Sequence, residues 1–322
     1  MNFLVIGTGL LGRERIRVLH RLRDDGFDID RIYAYDSRSQ DSSLKVEYVE
    51  KEKITDLDID WAIIAVPHNF ASEYIKLVAP MGCKILLEKP MGRSLEEAEE
   101  IYNAMIFPEQ IFMGFNYRFY RGVRSLAEDI RDNAFGNLVG IDITLGHGGK
   151  PEDASNWQVS PTGCGRNSLL DPGIHMLDLI NWFYPDRAIP LYGREWRGSW
   201  NTGIGEENHL LLDINGAVVN IQTSLVRWRS SFEIRVNGTE GYGVVSGKGR
   251  SFGCQTYIRG KKWGWQNGKS QKDSEELVIA DDCSNSFYDE MRSLLNQVGD
   301  NCTAYEGLRN MKLYNECLKV TT

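Results

Sequence analysis

The sequence predicts an α/β fold: a doubly wound parallel sheet at the N-terminus, followed by an α+β domain with a mostly antiparallel open sheet. Three observations predict it. The chain opens with an apolar run, Phe3 to Ile6, a glycine turn, a helix-like segment and a second apolar run that ends at Asp36. Continuous apolar runs then alternate with helix-like segments up to Gly114, the pattern of strands buried on both faces and covered by helices. Beyond Asn116 the runs are joined by hairpin signals, Asn215-Gly216 and Asn237-Gly238. The division is placed between 118 and 119, giving domains 1–118 and 119–322, with the last helix free to pack back on the first domain.

The opening turn reads Gly7-Thr8-Gly9-Leu10-Leu11-Gly12. Between a strand and a helix, such a G-x-G-x-x-G run is the Rossmann dinucleotide signature. Gly7 permits the tight turn, Gly9 lets backbone approach a pyrophosphate, and Gly12 lets the helix pack close to the strand. The helix N-terminus then offers unpaired N–H groups and a favourable dipole to the anion. Asp36 closes the second strand, where an acid meets the hydroxyls of an adenosine ribose. Without that context the same residues would be an ordinary glycine turn and a surface acid.

Bulk properties narrow the classes. A chain of 322 residues can build two domains with separate cores. Charged residues make up 25% and apolar residues 42%, ordinary values for a globular protein. A formal charge of −8 argues against nucleic acid or an anionic membrane as partner. No apolar run reaches transmembrane length, and a core strand begins two residues after Met1, so a cytoplasmic location is expected. The six cysteines form no C-x-x-C pair and read as reduced thiols, and five histidines argue against a histidine-rich metal site.

In chain order, a short strand is expected at 45–49, then a buried one over 61–66, ended by Pro67. A helix over 70–79 and a strand over 84–87 follow, closed by Glu88-Lys89-Pro90. Ser94 with Glu97 three residues later reads as a capping box, and 111–114 as the last strand of this half. The second half is read as a helix over 121–132, a strand over 138–145, a polar loop from His147 to Arg166 and a helix over 172–183. Strands over 210–214, 217–225 and 232–236 come next, further strands near Val244, Tyr257 and Leu277, and helices from Ser286 and Ala304.

Two clusters carry candidate chemistry. Lys89 sits at the C-terminal end of a parallel strand, the edge where ligands bind in such sheets, and could donate or relay a proton. The same position also suits a plain solvated lysine. In Asp171-Pro172-Gly173-Ile174-His175, Asp171 then Pro172 reads as N-cap then first helical residue. His175 would follow one turn later, where a helix start disfavours the cation and leaves an imidazole able to accept a proton, although a histidine early in a helix is more often structural.

These motifs, with Gly114-Phe115-Asn116-Tyr117-Arg118-Phe119, stand in the order and rough spacing of the glucose–fructose oxidoreductase and inositol dehydrogenase family, which the chain resembles over nearly its whole length. The resemblance implies that Lys89, Asp171 and His175 line nicotinamide and substrate. It implies a cofactor site of Gly7, Thr8, Gly9, Leu10, Leu11, Gly12, Asp36, Ser37, Arg38, Val66, Pro67, His68, Glu88 and Lys89. Asp36 favours NAD, while Ser37-Arg38 resembles the pair found in members that use NADP, so NADP use is a second option. The Trp-bearing loop resembles that of members acting on sugars or nucleotide sugars: Trp157 would stack on a pyranose, and Arg118 or Arg166 would bind a phosphate or carboxylate. The activity implied is NAD(P)-dependent oxidation or reduction of a secondary alcohol on a sugar, polyol or nucleotide sugar. An NAD-dependent glycosidase and a dinucleotide-sensing protein without turnover share the fold, and a homodimer or homotetramer is expected from relatives alone.

Overall fold

A computed structural model of the chain describes residues 1–38, 40–149, 157, 160–163, 165–200, 202–263, 275–281, 283 and 285–322. The chain forms two compact units. Unit 1 combines Met1–Asn116, Thr162–Gly165 and Phe287–Lys312; unit 2 combines Tyr117–Pro161, Arg166–Ser286 and Leu313–Thr322. Among the described residues, no helix is long and apolar enough to cross a membrane.

Unit 1 is built on six strands: β1 (Phe3–Ile6), β2 (Ile32–Tyr35), β3 (Glu47–Tyr48), β4 (Trp61–Ile64), β5 (Lys84–Glu88) and β6 (Ile111–Gly114). Their order is β3-β2-β1-β4-β5-β6, and every pairing is parallel. β1 and β4 are buried at every residue, which explains their unbroken apolar sequence. Around them run α1 (Leu10–Asp24), α2 (Ala71–Val78), α3 (Leu95–Asn103) and α6 (Ser286–Asn296), while α4 (Arg121–Arg131) and α5 (Ile174–Phe183) belong to unit 2. The core joins Phe3, Ile16, Leu19, Ile32, Ile63 and Leu86 to Tyr288, Met291 and Leu294 of α6. Ser94 caps α3 by accepting from the Glu97 N–H at 3.3 Å. The Glu97 carboxylate turns to Arg93 instead of completing the box.

A charge sits at the centre of this apolar unit. Arg15, fully buried in α1, meets Glu88 at the end of β5 (Nε–Oε1 2.7 Å) and Glu290 of α6 (Nη1–Oε2 2.6 Å). Burial works against the guanidinium charge, but the two carboxylates outweigh it and hold its pKa above the ordinary arginine value.

Unit 2 carries an eight-stranded sheet of β7 (Leu138–Gly146), β8 (Ala188–Trp196), β9 (Glu207–Ile214), β10 (Ala217–Ser224), β11 (Ser231–Gly238), β12 (Gly241–Ser246), β13 (Gln255–Lys261) and β14 (Glu275–Asp281). The order is β14-β13-β12-β11-β7-β10-β9-β8, antiparallel except for β7 with β10. α4 packs on β12, β13 and β14, and α5 packs beside α4. The last helix, α7 (Ala304–Lys319), contributes its residues to Lys312 to unit 1 and the rest to unit 2.

Two local readings of the sequence are corrected. Asn215 and Gly216, with φ of 56° and 88°, do form the β9–β10 turn, but Asn237-Gly238 ends β11 inside the ladder. There Gly238 lies directly against Phe135, whose carbonyl oxygen would be 2.1 Å from an added Cβ, so Thr239-Glu240 makes the turn. Likewise α5 starts at Ile174 with Gly173 as its cap, so Asp171 is not the N-cap. Successive turns over 168–173 close on the Asn167 and Ser168 carbonyls and delay the helix.

Truncating the buried arginine leaves two carboxylates facing each other in the core. Arg15→Met should cost about 3–5 kcal/mol in denaturant unfolding, whereas Lys53→Met, which breaks an exposed pair with Asp56, should leave the midpoint in place.

Candidate active site

Parallel register brings the candidate cofactor residues to one sheet edge. Ile6 pairs with Tyr35 and Ile64, and Ile64 with Leu87, so the segments beginning at Gly7, Asp36, Ala65 and Glu88 leave the sheet side by side. This is the carboxyl edge, where open α/β sheets bind ligands. Gly7 has φ +88°, and an added Cβ there would meet the Ala65 carbonyl oxygen at 2.6 Å. At Gly12 it would lie 1.8 Å from the Gly7 carbonyl oxygen, so turn and helix touch backbone to backbone. Gly9 differs: it is exposed, and a Cβ would meet nothing within 4 Å.

Asp36 braces this loop. Its Oδ2 accepts the Thr8 N–H at 2.7 Å and the Thr8 hydroxyl at 3.1 Å, and its Oδ1 accepts the Arg38 N–H at 2.9 Å. Arg13 Nε donates to the Thr8 carbonyl at 3.0 Å. No side chain caps α1 at Gly9, so Leu10 and Leu11 begin a helix end whose N–H groups face an open cradle. That cradle fits a dinucleotide pyrophosphate. Ser37 and Arg38 are exposed beside it, Val66, Pro67 and Lys89 are half-buried, and His68 is buried. The Glu88 carboxylate is bound to Arg15 in the core.

In unit 2, His175 occupies the first turn of α5, 3% exposed, with its ring stacked on Tyr117 at 3.7 Å between centroids and 4° between planes. Tyr117 stacks in turn on Tyr120 at 4.7 Å and meets Phe232 edge-on at 5.7 Å. Burial, then the neighbouring Tyr120 and Asp171, holds the Tyr117 pKa well above the ordinary phenol value, so it stays neutral. Asp171 is half-buried over a buried polar network. In that network Asn167 Nδ2 donates to Glu195 at 2.7 Å, Tyr314 donates to Asn167 at 3.2 Å, and Asn208 donates to Ser168 at 2.8 Å.

The other substrate candidates are placed differently. Arg118 is 2% exposed and donates twice to Asp178, at 2.9 and 2.6 Å, so its guanidinium is held inside unit 2. Arg166 is exposed and Trp157 half-buried. Residues 150–156, 158–159 and 164 of that loop lie outside the described residues. Tyr117, His147 and Lys248 were not singled out from sequence. Tyr117 stands in the Gly114–Phe119 motif, and the glycines flanking Lys248 are the local signal of a shaped loop.

A family profile described as "Oxidoreductase family, NAD-binding Rossmann fold" matches residues 1–113, and the "GFO/IDH/MocA C-terminal domain" matches residues 123–243. The chain belongs to the GFO/IDH/MocA oxidoreductase family. Its parallel sheet is therefore an NAD-binding Rossmann domain. Levoglucosan dehydrogenase of Pseudarthrobacter phenanthrenivorans is 24% identical over 58% of this chain and 55% of its own length. Glucose-6-phosphate 3-dehydrogenase of Bacillus subtilis is 25% identical over 65% of this chain and 61% of its own. The chain thus spans little more than half the length of these two curated relatives. A 3-ketoreductase from Actinomadura kijaniata, crystallised with NADP and TDP-benzene, superposes with a TM-score of 0.80 at 14% identity, covering 100% of this chain and 98% of its own.

The last two glycines of the turn should separate binding from folding. Gly9→Val fills open space, so the protein should fold and lose NADH affinity by calorimetry. Gly12→Val collides with the Gly7 backbone and should lower the unfolding midpoint sharply. Unchanged NADH affinity in folded Gly9→Val would move the pyrophosphate elsewhere.

Proposed function

We propose that this member of the family transfers a hydride between NAD and a secondary alcohol or ketone of a sugar, polyol or nucleotide sugar. One observation carries the reading: His175, fixed by its stack on Tyr117 and close to Asp171, in a chain whose other unit is an NAD-binding domain. The relatives that act on levoglucosan and glucose 6-phosphate support a carbohydrate substrate.

When bound, nicotinamide supplies the hydride acceptor or donor. The chain supplies proton handling and orientation. In the oxidative direction His175 takes the hydroxyl proton as general base. Tyr117 fixes the plane of the imidazole, and Asp171, anchored through the Asn167 turn, orients the substrate. Lys89 stabilises the developing alkoxide. The Asp36 carboxylate disfavours a 2′-phosphate, so NAD is preferred over NADP, and Asp36→Asn should shift the ratio of kcat/KM values toward NADP. Self-association is proposed through the outer face of the unit 2 sheet, where Ile189, Leu191 and Tyr192 are 60%, 50% and 52% exposed. Sedimentation at one protomer mass would remove that part.

General base catalysis contributes about 10²–10⁴-fold. His175→Ala should lower kcat/KM by that order, and NADH affinity should stay at the wild-type value. A folded His175→Ala protein within about threefold of wild type, well inside that range, would remove His175 from the chemistry. Net appearance of reduced nicotinamide with an alcohol supports the dehydrogenase; glycoside cleavage without it would overturn this reading.

A further inference from the structure

We propose that the Arg13–Asp41 pair is a cofactor-selecting device in which Asp41 holds the guanidinium that would otherwise receive the 2′-phosphate of NADP. The inference rests on the proposed preference for NAD over NADP and deepens it by adding a second acid to Asp36.

The pair lies where the two cofactors differ. In a Rossmann domain an acid after the second strand meets the ribose hydroxyls, and a nearby arginine accommodates a 2′-phosphate. Asp36 is that acid here, and Arg13 is tied to the same residue of the glycine turn. Thr8 donates its N–H to Asp36 at 2.7 Å, and the Thr8 carbonyl accepts from Arg13 Nε at 3.0 Å. Arg13 and Asp36 are thus held on either side of one residue. Arg13 Nη1 then meets Asp41 Oδ2 at 3.0 Å, with the two side chains 42% and 25% exposed. A guanidinium so exposed is within reach of an incoming anion, and Asp41 decides what it meets.

Asp41 presents its carboxylate from a fixed backbone. It caps a short 3₁₀ turn, Ser42–Leu44, where its Oδ1 accepts the Ser43 N–H at 3.0 Å and the Ser43 hydroxyl at 2.6 Å. Its own N–H donates to the Tyr48 hydroxyl of β3 at 2.9 Å. The Ser43 donors, and after them Arg13, hold the Asp41 carboxyl below the ordinary aspartate value, so it is charged at pH 7. The two oxygens therefore have separate duties: Oδ1 shapes the turn and Oδ2 holds Arg13. Fastening the turn to α1 does not require the second duty, since His20 Nε2 already meets the Leu44 carbonyl at 2.9 Å. Partly exposed ion pairs also add little to stability, so the effect of this one is the charge it places beside the ribose site. A 2′-phosphate there meets two carboxylates and a guanidinium already engaged, whereas a 2′-hydroxyl carries no charge to be repelled.

The test is calorimetry with NADH and NADPH titrated into wild type, Asp41→Asn, and Asp41→Asn combined with Arg13→Gln. Asparagine keeps an oxygen to cap the turn and turns an amide donor toward Arg13, which releases the guanidinium and preserves the cap. Wild type should bind NADH more tightly than NADPH. Asp41→Asn should raise the affinity for NADPH relative to NADH about tenfold or more, the scale of one hydrogen bond to a charged group. Adding Arg13→Gln should take most of that gain away. An unchanged ratio in Asp41→Asn would overturn the inference, and so would a gain that survives Arg13→Gln, because loss of negative charge alone would then account for it. Equal weakening of both nucleotides in Asp41→Asn would overturn it too, making the pair a fastening for the turn. Failure of the underlying preference looks different: wild type itself would then bind NADPH as tightly as NADH or more so, which removes that reading and this inference together.

Discussion

A single buried arginine sets the geometry of the dinucleotide-binding unit. Arg15 belongs to the helix that follows the glycine turn, Glu88 ends the strand that precedes Lys89, and Glu290 belongs to a helix near the other end of the chain. Three segments that must keep their relative positions are thereby tied through one guanidinium. The interaction is demanding, because each carboxylate left without it would be an uncompensated buried charge. Gly114 completes the arrangement: a Cβ there would approach Arg15 Nη2 at 2.9 Å and the Glu88 carboxylate at 3.0 Å. Glycine at the end of β6 thus makes room for the ion pairs as well as ending a strand.

Unit 2 uses a different device at its candidate site. There the candidate side chains are ordered by stacked rings and by a buried hydrogen-bond network of amides, hydroxyls and the Glu195 carboxylate, both short in range. His175 cannot turn without breaking its stack on Tyr117, and the turn bearing Asp171 cannot shift without disturbing Asn167, Ser168 and Asn208. Rigid placement of this kind is what proton transfer needs from a protein, since the base must meet the hydroxyl within hydrogen-bond reach.

Much of this was legible in the sequence, for definite physical reasons. Strands buried on both faces give unbroken apolar runs, so β1, β4 and β5 could be read directly, as could the turn that follows β1. β8 was missed because its residues alternate between half-buried and exposed and it carries Pro190, both traits of an edge strand that weaken the signal. The place of α6 in unit 1 was hidden, because an amphipathic helix declares that it packs but not against what. Of the candidate residues, Lys89 in unit 1 and Asp171 and His175 in unit 2 stood out through their motifs. The pairing of Arg118 with Asp178 was not legible, because a salt bridge between residues 60 apart leaves no local trace. Lys248 was invisible for a related reason: between two glycines it reads as an ordinary exposed turn, and only the fold sets it beside Tyr117.

The central claim is that an NAD-binding Rossmann domain serves redox chemistry on a sugar carbinol. Isotope transfer tests it most directly. A panel of sugars and polyols, each deuterated at its ring carbinol carbons, is incubated with the protein and NAD, and the nicotinamide is analysed by mass spectrometry. The account predicts reduced nicotinamide carrying one deuterium, formed in step with a keto product one deuterium lighter. Conversion of a substrate with no deuterium on the nicotinamide and no net reduction would contradict it.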